Sequence, residues 1–317
     1  MWGRGSAEAQ FASFFERQRE AARARGVPET FWPEVVGWQE TRADVAILYV
    51  HGFGAGPAEG HSALARLSEC AGVPVYFHLL AGHGADPDAH ASVRPAELQA
   101  SVLDAAVHTR SLGHRLIVVG TSMGAALATT LAADHPELVD GLVLVSPFYA
   151  FGDGRTWMLN IPGFAAMMDL LEPQGRSADP RSDRDGAHRI GPGYDAHWLM
   201  RQRYVSLLWL RDLAAEARRA DVLRRVRCPI LMLVYRGSGE AEDRVASIPA
   251  MLRAWGLMPG ASLEGSRIDY VADGHHVLLS EHVRVDHARV ADSLARFVEN
   301  VRLRGGVVSA GAVQDNR

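Results

Sequence analysis

Short apolar runs recur along this chain, separated by longer stretches with helical spacing. Val45–Val50, Val73–Leu79, Leu116–Val119, Leu142–Val145, Ile230–Val234 and Arg267–Val271 read as strands. Most are apolar at consecutive positions, the pattern of a strand buried on both faces. Helical patterns lie at Ala58–Ala71, Pro95–Leu112, Ser122–Asp134, Ala246–Trp255 and Val283–Val301. This alternation predicts an α/β architecture, a mostly parallel sheet with helices on both faces. The rhythm breaks once: about 80 residues separate the strand ending at Ser146 from the one opening at Cys228-Pro229, far more than a crossover helix needs. That interval begins apolar and methionine-rich, passes through a Pro/Gly/Arg/Asp-rich loop over 172–192, and ends in one or two helices over 194–226.

The expected organisation is an N-terminal helical segment (1–43), a core split into 44–146 and 220–302, a cap inserted at 147–219, and a frayed tail (303–317). Phe11, Phe14 and Phe15 share one helical face opposite Arg17 and Arg19. That face either docks on the body or touches a membrane.

Composition narrows the function. The chain has 317 residues, 48% of them hydrophobic and 22% charged, with a net charge of −4, so it suits a globular enzyme rather than a nucleic-acid surface. Every basic residue is arginine, which excludes lysine Schiff bases and Walker lysines. No apolar run reaches transmembrane length, and MWGRGSAEAQ lacks the start of a signal peptide. Cys70 and Cys228 are too few for a disulfide framework, so a cytoplasmic setting with reduced thiols is expected.

The chemistry gathers around Gly120-Thr121-Ser122-Met123-Gly124. This G-x-S-x-G follows a buried strand and opens a helix. Its glycines permit the tight turn that exposes a nucleophilic serine at the strand's carboxyl end. Met123 N–H, directly after the serine, is one expected oxyanion donor. The other is Phe53 N–H, in the loop His51-Gly52-Phe53-Gly54 after the strand at 45–50. His51, at that strand's exit, is expected to support the loop rather than act as base.

HGFGAGPAE, LLAGHG at 79–84, GTSMGA and the later H-V-L segment, in that order, resemble the α/β-hydrolase superfamily over residues 44–302. Within it they are similar to bacterial carboxylesterases and monoacylglycerol-lipase-like serine hydrolases. The resemblance implies an eight-stranded, mostly parallel sheet, a triad in the order Ser, Asp, His, and no cofactor. Two departures stand out. Leu80-Ala81 occupy the place where the family has an arginine before G-H-G, and no early strands are evident before residue 44, though VVGWQET offers one.

The acid should follow CPILMLVY, where Glu240, Glu242 and Asp243 are candidates, and the family's D-x-V pattern selects Asp243. The base should follow RIDYV, where His275 and His276 compete. A G-H reading selects His275, whereas H-V-L-x-x-[DE], which also matches Glu281, selects His276, the preferred residue. A metal site at the paired histidines lacks a third ligand at metal spacing.

The expected activity is cleavage of a small-molecule carboxylic ester with an apolar acyl group, through an acyl-enzyme. An acyltransferase or serine peptidase could use the same residues, and a non-catalytic ligand binder is the alternative of another class. Aspartate-nucleophile dehalogenase or epoxide chemistry is excluded by Ser122. Phe148, Trp157, Met158 and Met167 are the expected substrate contacts, within an apolar set (Tyr149, Phe151, Phe164 and Met168 included) that could equally be the cap's own core.

Overall fold

The computed structural model describes residues 4–39, 41–84, 86–152, 154–179, 189–237 and 242–304. Glu240, most of the polar loop at 180–188 and the tail beyond 304 lie outside them.

A seven-stranded sheet organises the molecule: β1 (Glu34–Val36), β2 (Ala46–Val50), β3 (Val75–His78), β4 (Leu116–Thr121), β5 (Gly141–Val145), β8 (Ile230–Tyr235) and β9 (Arg267–Val271), in spatial order β1-β3-β2-β4-β5-β8-β9. β1 runs antiparallel to β3, and all other pairings are parallel. Among the described residues the main sheet has seven strands where eight were implied. Residues 4–24 form helix α1 (Arg4–Ala24), and of VVGWQET only Val35 and Val36 join a strand, the short β1.

The central strands owe their apolar runs to burial on both faces. Ala46, Leu48, Leu116, Val118, Leu142, Leu144, Ile230 and Met232 enter one core. Their neighbours Ile47, Tyr49, Ile117, Val119, Val143, Val145 and Leu231 enter the other. Helices α4 (Pro95–Thr109), α5 (Met123–Asp134), α7 (Ser206–Ala217) and α9 (Ile248–Trp255) pack on the first core, and α2 (His61–Ala71) and α10 (His287–Leu303) on the second. Phe11, Phe14 and Phe15 of α1 are buried in the first core, ringed around Tyr76, so this face docks on the body.

Several elements differ from expectation for local reasons. α10 starts at His287, not Val283, because the Asp286 side chain accepts the Arg289 N–H and caps the helix there. α3 (Pro87–Ala91), too short to show periodicity, is fixed by Asp86 accepting two backbone N–H groups. The interval between β5 and β8 holds α6 (Phe164–Leu171), α7, α8 (Ala220–Leu223) and a two-stranded antiparallel pair, β6 (Arg176–Ser177) and β7 (Arg201–Gln202). α7 does not lie wholly above the sheet. Trp209, Leu213, Ala214 and Ala217 recur on one face, and they join the main core against α5.

Candidate active site

The turn at Ser122 is set by close packing. β4 ends at Thr121, and Ser122 adopts φ +54°, a conformation that favours glycine. A Cβ on Gly120 would lie 2.4 Å from Gly124 O, and one on Gly124 would lie 2.1 Å from Val50 O. Only glycine at both positions lets the backbones of β2, β4 and α5 approach this closely. Ser122 N–H donates to Val145 O at 2.8 Å, which ties the strained residue to β5.

Loops at the carboxyl ends of β8 and β9 bring two more side chains to the turn. The Ser122 hydroxyl lies 2.8 Å from His276 Nε2, and His276 Nδ1 lies 2.7 Å from Asp243 Oδ2. All three residues are buried. Asp243 Oδ1 accepts the N–H groups of Val245 and Ala246 at 2.9 and 3.0 Å, so both carboxylate oxygens are engaged. Burial disfavours the imidazolium of His276, but the Asp243 charge and hydrogen bond, aided by Glu59, overcome this and raise its pKa.

Of the competing candidates, His275 lines the same cavity, but the ring bonded to Ser122 is that of its neighbour. Glu242 is exposed on the β8–α9 loop, and Glu240 lies outside the described residues. His51 donates from Nδ1 to Gly52 O (2.9 Å) and accepts the Leu80 N–H on Nε2 (3.1 Å). Burial, then the nearby His83 and His78, pushes its pKa well down, so it stays neutral and braces the loop.

Met123 directly follows Ser122, and Phe53 lines the cavity beside this turn. Gly52 sits so close to it that a Cβ there would be 3.4 Å from Ser122 Cβ. Among the described residues, neither the Phe53 nor the Met123 N–H donates to another backbone oxygen.

A cavity of about 410 Å³ opens over Ser122, His276 and Phe53, walled by Phe148, Phe151, Trp198, Leu207 and Leu210. Of the four expected substrate contacts, Phe148 lines it. Trp157 instead lines an adjoining cavity of about 370 Å³ that shares Phe148, Phe151 and Thr156. Met158 and Met167 are among the lining residues of neither. Trp157 and Met167 are largely exposed, and Ala165 is the buried residue of α6.

One residue of this site had no role in the sequence reading. Glu59, the acid of HGFGAGPAE, is buried on the cavity wall, and its Oε2 accepts the Gly52 N–H (2.7 Å) and the Tyr49 hydroxyl (2.8 Å). Tyr49 in turn reaches Thr121 Oγ1 at 3.1 Å, so the carboxyl links the Phe53 loop to the residue before Ser122. Burial pushes its pKa up to about 7, against the lowering effect of Tyr49, Gly52 and His276. An acid alone in a run of Gly, Pro and Ala, with no basic residue beside it except His61, was the available signal.

The parallel sheet, the strained serine between β4 and α5, and the acid and histidine on loops after later strands together define an α/β-hydrolase fold. The chain belongs to the alpha/beta hydrolase family, whose model matches residues 47–292. It is 31% identical over 109 residues to the Abhydrolase domain-containing protein abhd-5.2 of Caenorhabditis elegans, a match covering 34% of this chain and 24% of that protein's length. Among solved structures, it resembles one described with the metagenome-derived lipolytic enzymes LipS and LipT, with a TM-score of 0.63 at 20% identity, covering 86% of this chain and 99% of that one. It also resembles a soluble variant of monoglyceride lipase from Saccharomyces cerevisiae, with a TM-score of 0.64 at 14% identity, covering 85% and 91%. At these identities the structural likeness speaks to the fold.

Proposed function

We propose that the protein is a serine hydrolase that cleaves carboxylic esters through an acyl-enzyme. One observation carries this reading: the continuous chain from Ser122 Oγ to His276 Nε2 (2.8 Å) and from His276 Nδ1 to Asp243 (2.7 Å), at the floor of a cavity. In this mechanism His276 takes the Ser122 proton as Oγ attacks the ester carbonyl, and the N–H groups of Phe53 and Met123 receive the oxyanion. Protonated His276, steadied by Asp243, gives its proton to the departing alcohol. It then activates a water that releases the acid. No cofactor or metal has a step in this scheme.

The segment 147–219 acts here as a cap, supplying Phe148 and Phe151 at the acyl side. The cavity volume suits a ligand of small-molecule size. A cytoplasmic setting belongs to the same proposal and rests on composition alone.

The test is a nitrophenyl-ester series of increasing acyl length, run beside fluorophosphonate labelling. Ser122→Ala is expected to lose on the order of 10⁴–10⁶ in kcat and all labelling, with an unchanged circular-dichroism spectrum. A Ser122→Ala protein that kept several per cent of its esterase activity would overturn the reading.

A further inference from the structure

The catalytic cavity carries a cation, Arg176, that the proposed ester chemistry leaves unused. Arg176, on β6, lines the cavity together with Ser122 and His276. Its Nη2 donates to Gln202 Oε1 at 2.6 Å, across the β6–β7 register that pairs the two residues. Gln202 in turn donates from Nε2 to Leu199 O at 3.3 Å, so the amide has a single orientation and offers its oxygen to Arg176. Gln202 also abuts the oxyanion loop, where a Cβ on Gly54 would lie 2.3 Å from its Nε2. Arg176 is therefore held one side chain away from the loop that carries Phe53.

Arg176 Nε is buried and has no hydrogen-bond partner. Among the described residues, no carboxylate lies within ion-pair distance of the guanidinium, and burial lowers its pKa. Elsewhere in the chain Arg203 meets Asp88, Arg189 meets Asp273 and Arg211 meets Asp212. The other charged side chains on the wall, Glu59, Asp179 and Arg244, have partners of their own. Keeping a half-buried guanidinium with its Nε–H unfilled is costly unless an anion completes it. Its planar fork matches an oxyacid group, whose oxygens accept two parallel N–H bonds.

We propose that Arg176 is an anion-recognition residue of this cavity, and that the substrates are esters bearing a second, anionic oxyacid group set apart from the scissile bond. This inference rests on the serine-hydrolase reading and deepens it. Binding energy gained at Arg176 positions the ester over Ser122, while a neutral ester leaves the buried Nε–H unfilled. A site built on such donors discriminates strongly against ligands that lack the matching group.

The anion could be a carboxylate on the acid side or a phosphate on the alcohol side, so two substrate pairs are compared by pH-stat. The first is monoethyl adipate against ethyl hexanoate, and the second is hexanoyl glycerol phosphate against monohexanoylglycerol. The native protein is expected to favour the anionic member of at least one pair by about tenfold or more in kcat/KM. Arg176→Gln is expected to lower that ratio about tenfold, chiefly through KM, and Arg176→Lys to restore part of it. Preference for the neutral member in both pairs, which requires no variant, would overturn the inference. So would a ratio unchanged in a folded Arg176→Gln protein. Ser122→Ala is assayed on ethyl hexanoate alongside: if it stays active, the serine-hydrolase reading itself has failed. If it is inactive while the ratio ignores Arg176, only the anion inference falls.

Discussion

Replacing Asp243 with asparagine removes one charge and hardly any volume, yet the surroundings determine how the new amide must sit. Asp243 Oδ1 receives two backbone N–H groups, from Val245 and Ala246, whereas Oδ2 faces only His276 Nδ1. In Asp243→Asn the amide oxygen has to stay with the two backbone donors, because the reverse orientation would set NH₂ against both and forfeit two hydrogen bonds, each worth about 1 kcal/mol net. The NH₂ therefore points at Nδ1, which must present its lone pair. The ring proton moves to Nε2, 2.8 Å from the Ser122 hydroxyl, where an acceptor is needed. An imidazole in the wrong tautomer costs a serine triad about 10⁴ in kcat, or roughly 5.5 kcal/mol at about 1.4 kcal/mol per tenfold. Loss of the Asp243 charge also removes the main influence raising the His276 pKa, so the acid limb of residual activity shifts to lower pH. The assay is kcat/KM on a nitrophenyl ester from pH 5.5 to 9, with the fluorophosphonate labelling rate measured in parallel. An Asp243→Asn protein within tenfold of the native rate, with the same acid limb, would refute this account of the acid.

Two further outcomes are expected. His276→Ala should fall to the level of Ser122→Ala, while His275→Ala, whose ring is not the one bonded to Ser122, should keep activity within about tenfold and still take the fluorophosphonate label; the opposite pattern in kcat/KM would move the base by one residue. Thermal stability should drop steeply on acidification below about pH 6.5, because burial lowers the pKa of His51, His78, His83 and His90, to about 3 for His78 and about 4 for His83. Between pH 6.5 and those values the unfolded chain binds protons that the folded one refuses, costing on the order of 1.4 kcal/mol per pH unit for each histidine. Glu59, His61 and His276, whose pKa values are raised, act in the opposite direction but are outnumbered. Calorimetry from pH 7.5 to 4.5 checks this, and a flat Tm would contradict it.

The sheet was legible in the sequence because its strands are buried on both faces, and uninterrupted runs such as Ile47–Val50 and Leu142–Val145 have few other uses in a soluble chain. The serine turn was legible because close packing demands Gly120 and Gly124. The histidine pair was less so. Which of two neighbours faces Ser122 depends on how the β9 loop leaves the sheet, and periodicity carries no information about an irregular loop. Glu59 escaped notice because its partners, Tyr49 and Gly52, belong to a strand and a loop that only the fold brings together. The sequence offers the apolar residues of 148–168 as either cavity lining or the cap's own core, yet α6 turns Met167, Leu170 and Leu171 to solvent while α7 sends Trp209 into the main core. Composition alone cannot distinguish a face that covers a cavity from one that looks away from it.

The backbone at position 122 has a consequence for how this gene can drift. With φ at +54°, the turn is a place where serine is held against its own preference, at a cost of about 1–3 kcal/mol, and where glycine would rest without strain. Stability alone therefore pulls this position away from serine, and the gain from yielding is a sizeable fraction of the roughly 5–15 kcal/mol that keeps a typical protein folded. A lineage released from selection on turnover would have a thermodynamic incentive to lose the hydroxyl early.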